Sequence, residues 1–338
     1  MTELSERVDV AIIGGGFAGL ATAWALRQRG VTDMIVVERE AELGRFASGR
    51  SAGLGRQLAE DDDTTALAVR GAQLLREVPQ HWRETGSVMS FDDAALADTY
   101  VARAAKYGVA VEVLDRDGVL ARWPQLAELR LVRALAVPSD GVIAVQPLLR
   151  ALAAETRLAL GTRVTALEPG RVTTTRGAFE ARVVVDASGA WAGELTGDEP
   201  LLTYKRHVFV LEAQAAPQAP WLWHLGSGEI YLRGDAAGVL VSPCDAARSE
   251  PGHQEPDLVG EEHLRKLLDD VAPELAAARI GRRWACQRAF TPDRRMRLGR
   301  DDERPWLVWA AGLGGHGATA APAVGERVAD AVVAALRG

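Results

Sequence analysis

The chain of 338 residues has room for about two domains of ordinary size, each able to bury its own core, so a peptide or lone small module is excluded. Its 39 Lys and Arg against 46 Asp and Glu leave a net charge of −7, which disfavours nucleic acid or an acidic membrane as the partner. With 48% hydrophobic and 25% charged residues the composition is that of a globular protein, and two cysteines, Cys244 and Cys286, supply neither a disulfide framework nor a zinc site, so a reducing compartment is expected.

The opening residues lack the basic and apolar regions of a signal peptide, and no stretch is apolar for the ~18 residues of a membrane span, so a soluble, cytoplasmic protein is expected. Val8 to Ile13 is a β-branched run that ends in Gly14-Gly-Gly-Phe-Ala-Gly19. Leu20 to Arg29 then reads as helix, Gly30 stops it, and a second apolar run, Met34 to Val37, ends in Glu38. Strand, glycine turn, helix, strand and acid in that order form a dinucleotide-binding fingerprint. Gly14 allows the tight turn, Gly16 lets the backbone approach a pyrophosphate, and Gly19 permits close helix-to-strand packing. The helix start offers N–H groups and a partial positive charge, and Glu38 would accept hydrogen bonds from a ribose diol.

Leu43 to Arg56 is too glycine-rich and basic for a helix or strand. Its small residues suit close contact with a flat polar ring, and Arg45, Arg50 and Arg56 are available for phosphate or for negative charge on a reduced ring; a mobile surface loop is the bland alternative. The acidic run Glu60 to Asp63 reads as a solvated face, followed by a helix to about Val78. Helical pieces are expected near Ala94 to Lys106 and Asp117 to Trp123, with a break at Pro124, and another helix starts at Gln146-Pro147. Thr162 to Leu167, Arg171 to Thr175 and Ala178 to Asp186 form a strand meander that runs into the small-residue turn Ala187-Ser-Gly-Ala-Trp191 and a further helix. Residues 200 to 290 return to short alternating strands, including Val208 to Leu211, Glu229 to Arg233 and Val239 to Ser242, with a helix near Glu261 to Asp270. At the C-terminal end, Trp306 to Ala311 is strand-like, Gly312-Leu-Gly-Gly-His-Gly317 is a second glycine loop, and Pro322 to Leu336 is an amphipathic helix.

Two glycine loops far apart in sequence, both opening helices, imply a discontinuous cofactor domain. The expected fold class is α/β: a Rossmann-type FAD-binding domain from residues 1–78, 138–198 and 290–338, with a mixed antiparallel-sheet substrate domain from 79–137 and 199–289.

The two glycine loops with Glu38, the Ala47-Ser-Gly-Arg-Ser-Ala-Gly53 loop, Val184-Val-Asp-Ala-Ser-Gly-Ala-Trp191 and Thr291-Pro-Asp293 together resemble the D-amino-acid oxidase superfamily of FAD-dependent amine oxidoreductases. That superfamily includes glycine oxidase, sarcosine oxidase and D-arginine dehydrogenase, and Lys205-Arg206, Tyr231-Leu232 and Val241-Ser-Pro243 are most similar to the last. The resemblance implies FAD contacts from Gly14, Gly16, Phe17, Ala18, Gly19, Glu38 and Arg39, and from Arg45, Ser48, Gly49, Arg50 and Ser51. It extends them to Val164, Ala187, Ser188, Gly189, Trp191 and Cys286, and to Gly312, Gly314, Gly315, His316, Gly317, Ala318 and Thr319. No metal is implied.

The same resemblance places Arg288 and Tyr231 on the substrate carboxylate, with His316 and Arg56 near the ring. An ordinary ion pair is the alternative for Arg288, a core aromatic for Tyr231, and a surface role for Arg56. Cys286 matches a cysteine that bonds covalently to the flavin in sarcosine oxidase; a small buried hydrophobe is the other reading. Thr319 stands where sarcosine oxidase has a lysine that assists reaction with oxygen, so the electron acceptor stays open. The implied activity is oxidation of the C–N bond of an amino or imino acid, by hydride transfer to flavin N5, giving an imine that hydrolyses. An NAD-dependent dehydrogenase and a flavin-binding subunit that acts only with a partner are the alternatives. Asp61 to Asp63 would bias the site toward a cationic side chain.

Overall fold

The computed structural model describes residues 7–77, 80–214 and 218–338; the expected helix end at Val78 and the opening residues 1–6 lie outside these. The strand Arg7–Ile13 is buried along most of its length, as a strand covered on both faces must be. It pairs in parallel with Met34–Val37 on one side and Gly177–Asp186 on the other. Leu158–Ala159 and Leu307–Ala311 extend this parallel core outward, and an antiparallel meander, Val164–Glu168 and Arg171–Thr174, completes one edge. With Arg297–Arg300 beside Leu307–Ala311, the sheet has eight strands.

A second sheet of nine strands is mixed and mostly antiparallel. Its longest pair joins Leu202–Leu211 to Ile280–Phe290, with Arg206 opposite Cys286 and Tyr204 opposite Arg288. The strands Ser87–Phe91 and Arg133–Val137 were not expected from sequence, whereas Trp221–Leu225 and Ile280–Phe290 fall in the stretch from 200 to 290 expected to hold short alternating strands. A small three-stranded sheet links Leu54–Gly55, Gly141–Ile143 and Trp82–Glu84.

Three helical expectations change. The helix expected from Leu20 begins at Phe17, so the last residues of the first glycine loop are its first turn. The C-terminal helix spans Gly317–Arg337, beginning five residues before Pro322, which therefore sits inside it. After Asp186 the chain makes a short 3-10 turn, Gly189–Trp191, rather than a longer helix.

The first and last helices pack against each other, and Asp62–Arg76 packs on the last. Small residues set the approach. A Cβ at Gly325 would lie 2.3 Å from the Ala21 carbonyl oxygen, and one at Gly71 would lie 2.1 Å from that of Thr319. Backbone sits on backbone at both contacts, so neither neighbour can swing aside. Gly325→Ala is accordingly expected to destabilise by about 1–3 kcal/mol despite alanine's higher helix propensity. Thermal unfolding checks this, and an unchanged or raised Tm would contradict the packing described.

Candidate active site

In an open α/β sheet the ligand crevice lies beyond the carboxyl ends of the parallel strands. Here Arg7–Ile13 runs into the first glycine loop, Gly177–Asp186 into Ala187–Trp191, and Leu307–Ala311 into the second glycine loop; all three line one cleft. Gly14, at φ +110°, packs directly on the middle loop, where an added Cβ would lie 2.4 Å from the Ala187 carbonyl oxygen. Gly312 and Gly314 also hold positive φ, 72° and 55°.

Both helices that open into the cleft start without a side-chain cap, at Gly16 and at His316. Uncapped helix starts concentrate N–H groups and partial positive charge, which suits a pyrophosphate at one and a carbonyl-rich ring edge at the other. Ser48 Oγ accepts the Phe17 N–H (2.9 Å), so the basic loop is tied to the first helix. Glu38 accepts the Gly15 N–H at 2.7 Å and the Glu40 N–H at 2.9 Å, which fixes its carboxylate at the end of the second strand. Arg39 lies over the Trp191 ring at 3.6 Å and beside Phe46, forming one wall.

Of the residues expected to contact FAD, 22 line the cleft: Gly14, Gly16, Phe17, Ala18, Glu38, Arg39, Arg45, Ser48, Ser51, Val164, Ala187, Ser188, Gly189, Trp191, Cys286, Gly312, Gly314, Gly315, His316, Gly317, Ala318 and Thr319. Arg56, Tyr231 and Arg288 join them. Gly19, Gly49 and Arg50 do not line it. A Cβ at Gly19 would lie 2.0 Å from the Gly14 carbonyl oxygen and one at Gly49 2.3 Å from that of Gly44, so both serve close packing under the loops. The Arg50 guanidinium, read as free for phosphate or ring, is committed to the Ala285 and Gln254 carbonyls at 2.8 and 2.9 Å. It ties the basic loop to the second sheet.

At the end of the cleft facing the second sheet, polar groups gather. Arg56 is buried over the Trp223 ring, with its Cζ 4.1 Å from the centroid, and Trp223 meets Tyr231 edge to face at 5.6 Å. Arg56 Nη2 donates to the half-exposed Glu60 at 2.8 Å and to His316 Nε2. Burial and the Arg56 charge push the His316 imidazole down to about 4, so it is neutral at pH 7, as befits an acceptor. Burial pushes the Tyr231 hydroxyl up, leaving it a neutral donor, and pushes the Cys286 thiol up to about 11. Arg288 crosses beneath the second glycine loop, where a Cβ at Gly315 would come within 2.8 Å of its Nη1.

Thr319 is occupied. Its Oγ1 accepts the Arg56 N–H at 3.1 Å and donates to the Leu54 carbonyl at 3.3 Å, stitching the basic loop to the last helix. The stretch Asp61 to Asp63 does not line the cleft, although Glu60 before it pairs with Arg56: Asp61 caps the helix Asp62–Arg76 through the Thr64 N–H (2.9 Å), and Asp62 pairs with Arg103 and Lys106. It therefore supplies no bias toward a cationic substrate. Sequence reasoning assigned no site role to Arg206 or Trp223, both in the cleft lining. The signal for Arg206 was weak, because it lies in the polar stretch Thr203-Tyr-Lys-Arg-His207 just before Val208–Leu211. Among the described residues no group of three or more His, Cys, Asp or Glu could hold a metal ion, and no helix is long and apolar enough to cross a membrane.

Uncapped helix starts, glycine approaches too tight for a Cβ, and buried donors without acceptors fit an extended dinucleotide with a flat polar ring. The chain belongs to the DAO family, whose model, described as FAD dependent oxidoreductase, matches residues 9–331. It is an FAD-dependent oxidoreductase, and the NAD-dependent alternative falls. Among its relatives is a glycine oxidase from Bacillus licheniformis, 26% identical, with 98% of this chain and 94% of that protein covered. Another is a 4-methylaminobutanoate oxidase (formaldehyde-forming) from Paenarthrobacter nicotinovorans, also 26% identical over 99% of this chain but 45% of the relative. The chain spans about half the length of the first curated relatives it matches, 45 and 56%. Its fold is that of L-proline dehydrogenase from P. horikoshii, with a TM-score of 0.88 at 24% identity, covering 97% of this chain and 93% of that one.

The depressed His316 imidazole has a consequence for stability. A histidine whose folded pKa lies below its unfolded value contributes stability in full above about pH 6.5, and loses it as pH falls toward about 4. His316→Asn is expected to reduce the slope of unfolding free energy against pH in that window by up to about one proton. Denaturant unfolding at several pH values measures it. Parallel wild-type and variant curves would contradict a buried neutral imidazole.

Proposed function

We propose that the protein oxidises the C–N single bond of an amino or imino acid, with residues 1–78, 138–198 and 290–338 holding FAD and residues 79–137 and 199–289 contributing the substrate side. One observation carries this reading: Arg288 Nη2 is buried with no acceptor in the wall of a cleft that the neutral hydroxyl donor Tyr231 also lines. A planar guanidinium that stays charged when desolvated is suited to a carboxylate, which accepts two parallel N–H bonds. The similarity to a glycine oxidase points the same way.

When bound, FAD supplies a ring that accepts two electrons from the carbon next to nitrogen. The chain's own contribution is positional. Arg288 and Tyr231 would hold the carboxylate, fixing which C–H bond faces the ring; Trp223 and the apolar sheet behind it would exclude water. His316 is an unsuitable base, since its Nε2 is occupied by Arg56 and its imidazole binds a proton only near pH 4. A substrate amine bound in its neutral form would need no protein base, its own lone pair driving loss of the hydride to the bound flavin. The imine so formed hydrolyses in water. Burial holds the Cys286 thiol neutral, which favours a small apolar neighbour of the ring over a covalent tether.

Anaerobic mixing of the purified flavoprotein with D-amino, L-amino, N-methylamino and 2-hydroxy acids tests this. Bleaching by an amino or N-methylamino acid but no hydroxy acid is expected, and acid precipitation of the same sample should leave the colour in the supernatant. Arg288→Leu should raise the concentration for half-maximal bleaching at least about tenfold, Arg288→Lys less. Bleaching by dithionite but by no amine in the panel would overturn the reading.

A further inference from the structure

The cleft holds more cationic hydrogen-bonding capacity than one carboxylate can satisfy. Arg56 Nη1, Arg206 Nη1, Arg288 Nη2 and Trp223 Nε1 are all buried without an acceptor, and all four side chains line the same cleft. Arg56 is charge-compensated by Glu60. Arg206 and Arg288 are not: among the described residues neither forms an ion pair. Arg206 is only 6% exposed and spends its Nε on the Asp245 carbonyl at 2.7 Å, while the Asp245 carboxylate is taken by His207. The half-buried Glu229 faces Arg206 electrostatically but outside ion-pair distance. A buried cation without a counter-ion costs several kcal/mol, and with Arg206 buried and the half-buried Arg288 holding its Nη2 out of water, the site suits two anionic groups.

Register places the pair. Arg206 stands opposite Cys286 across the paired strands, and Arg288 is two residues further along, so all three share one face of the second sheet. Diagonal neighbours of this kind are about 7–8 Å apart at the backbone. Two guanidinium heads at that spacing span a short chain with a carboxylate at each end. We propose that the substrate is an amine flanked by two carboxylates, an amino dicarboxylic acid or N-carboxyalkyl amino acid, with Arg288 binding one carboxylate and Arg206 the other. This rests on the amino-acid reading above and deepens it. It also accords with Asp61 to Asp63 lying outside the cleft lining.

The test uses FAD-loaded protein and matched compounds that differ by one carboxylate: sarcosine against iminodiacetate, and alanine against aspartate in both configurations. Anaerobic bleaching at low concentration is expected to favour the dicarboxylate by about tenfold or more. Arg206→Met should bring that ratio near one, with Arg206→Lys restoring part of it. In the unmutated protein, succinate or malonate should shift the flavin spectrum at about tenfold lower concentration than acetate, which decides the matter even if a variant fails to fold. Bleaching by both members of each pair without preference, and equal spectral binding, would overturn the proposal and leave amino-acid oxidation standing. A preference that survives Arg206→Met, with FAD lost from the variant, would assign Arg206 to the cofactor and overturn its substrate role. Dicarboxylate binding without bleaching by any amine would keep the two-anion site and remove the oxidation reading. Neither binding nor bleaching would remove both.

Discussion

Close backbone packing between helices at opposite ends of the chain is the constraint on which the site depends. The helix after the first glycine loop and the helix after the second touch where Gly325 meets the Ala21 carbonyl, and Gly71 brings a third helix onto Thr319. A side chain at Gly325 would push the first and last helices apart, and one at Gly71 would push the third helix off the last. With them held together, the uncapped N-termini at Gly16 and His316 open into one cleft. The loops stay at this separation because Thr319 bridges to Leu54 and Arg56, and Ser48 to Phe17.

Charge is arranged differently at the cleft's two ends. Near the parallel strands, backbone N–H groups and Glu38 dominate, which serves a neutral or anionic dinucleotide without a large desolvation cost. Near the second sheet, Arg56 and Arg206 are buried and Arg288 is half-buried, and among the described residues Arg56 alone of the three has a carboxylate partner. A single cluster keeps that end ordered: Glu60 holds Arg56, Arg56 stacks on Trp223 and donates to neutral His316, and Trp223 braces Tyr231. Unsatisfied donors remain on Arg56, Arg206, Arg288 and Trp223, and of these Arg206 and Arg288 lack an ion-pair partner among the described residues, so they are the groups a ligand would complete.

Much of the cofactor side was legible in the sequence because its requirements are local. Strand Met34–Val37 and helix Ala94–Lys106 fall where periodicity puts them, and glycines at 14, 312 and 314 mark turns whose positive φ demands them. The second sheet was harder to read. Ile280–Phe290 carries arginines on a half-exposed strand, so its hydrophobic pattern is weak, and only its ten-residue register with Leu202–Leu211 reveals it. Arg50 looked like a ligand group because composition cannot show where a long side chain ends; the Ala285 and Gln254 carbonyls lie more than 200 residues away. Pro322 suggested a helix start, yet the glycine loop itself supplies the first turn, placing Thr319 inside the helix.

The central claim is that the buried, unpartnered donors of Arg288 and its neighbours receive the substrate's carboxylate while the glycine loops hold FAD. A crystal structure of the FAD-loaded protein with a non-reactive carboxylate tests it most directly. The account predicts FAD along Gly14–Gly19 and Gly312–Gly317, with a carboxylate oxygen within hydrogen-bond distance of Arg288 Nη2 and the Tyr231 hydroxyl. FAD itself occupying those donors, or a carboxylate bound elsewhere with Arg288 left unpaired, would contradict it.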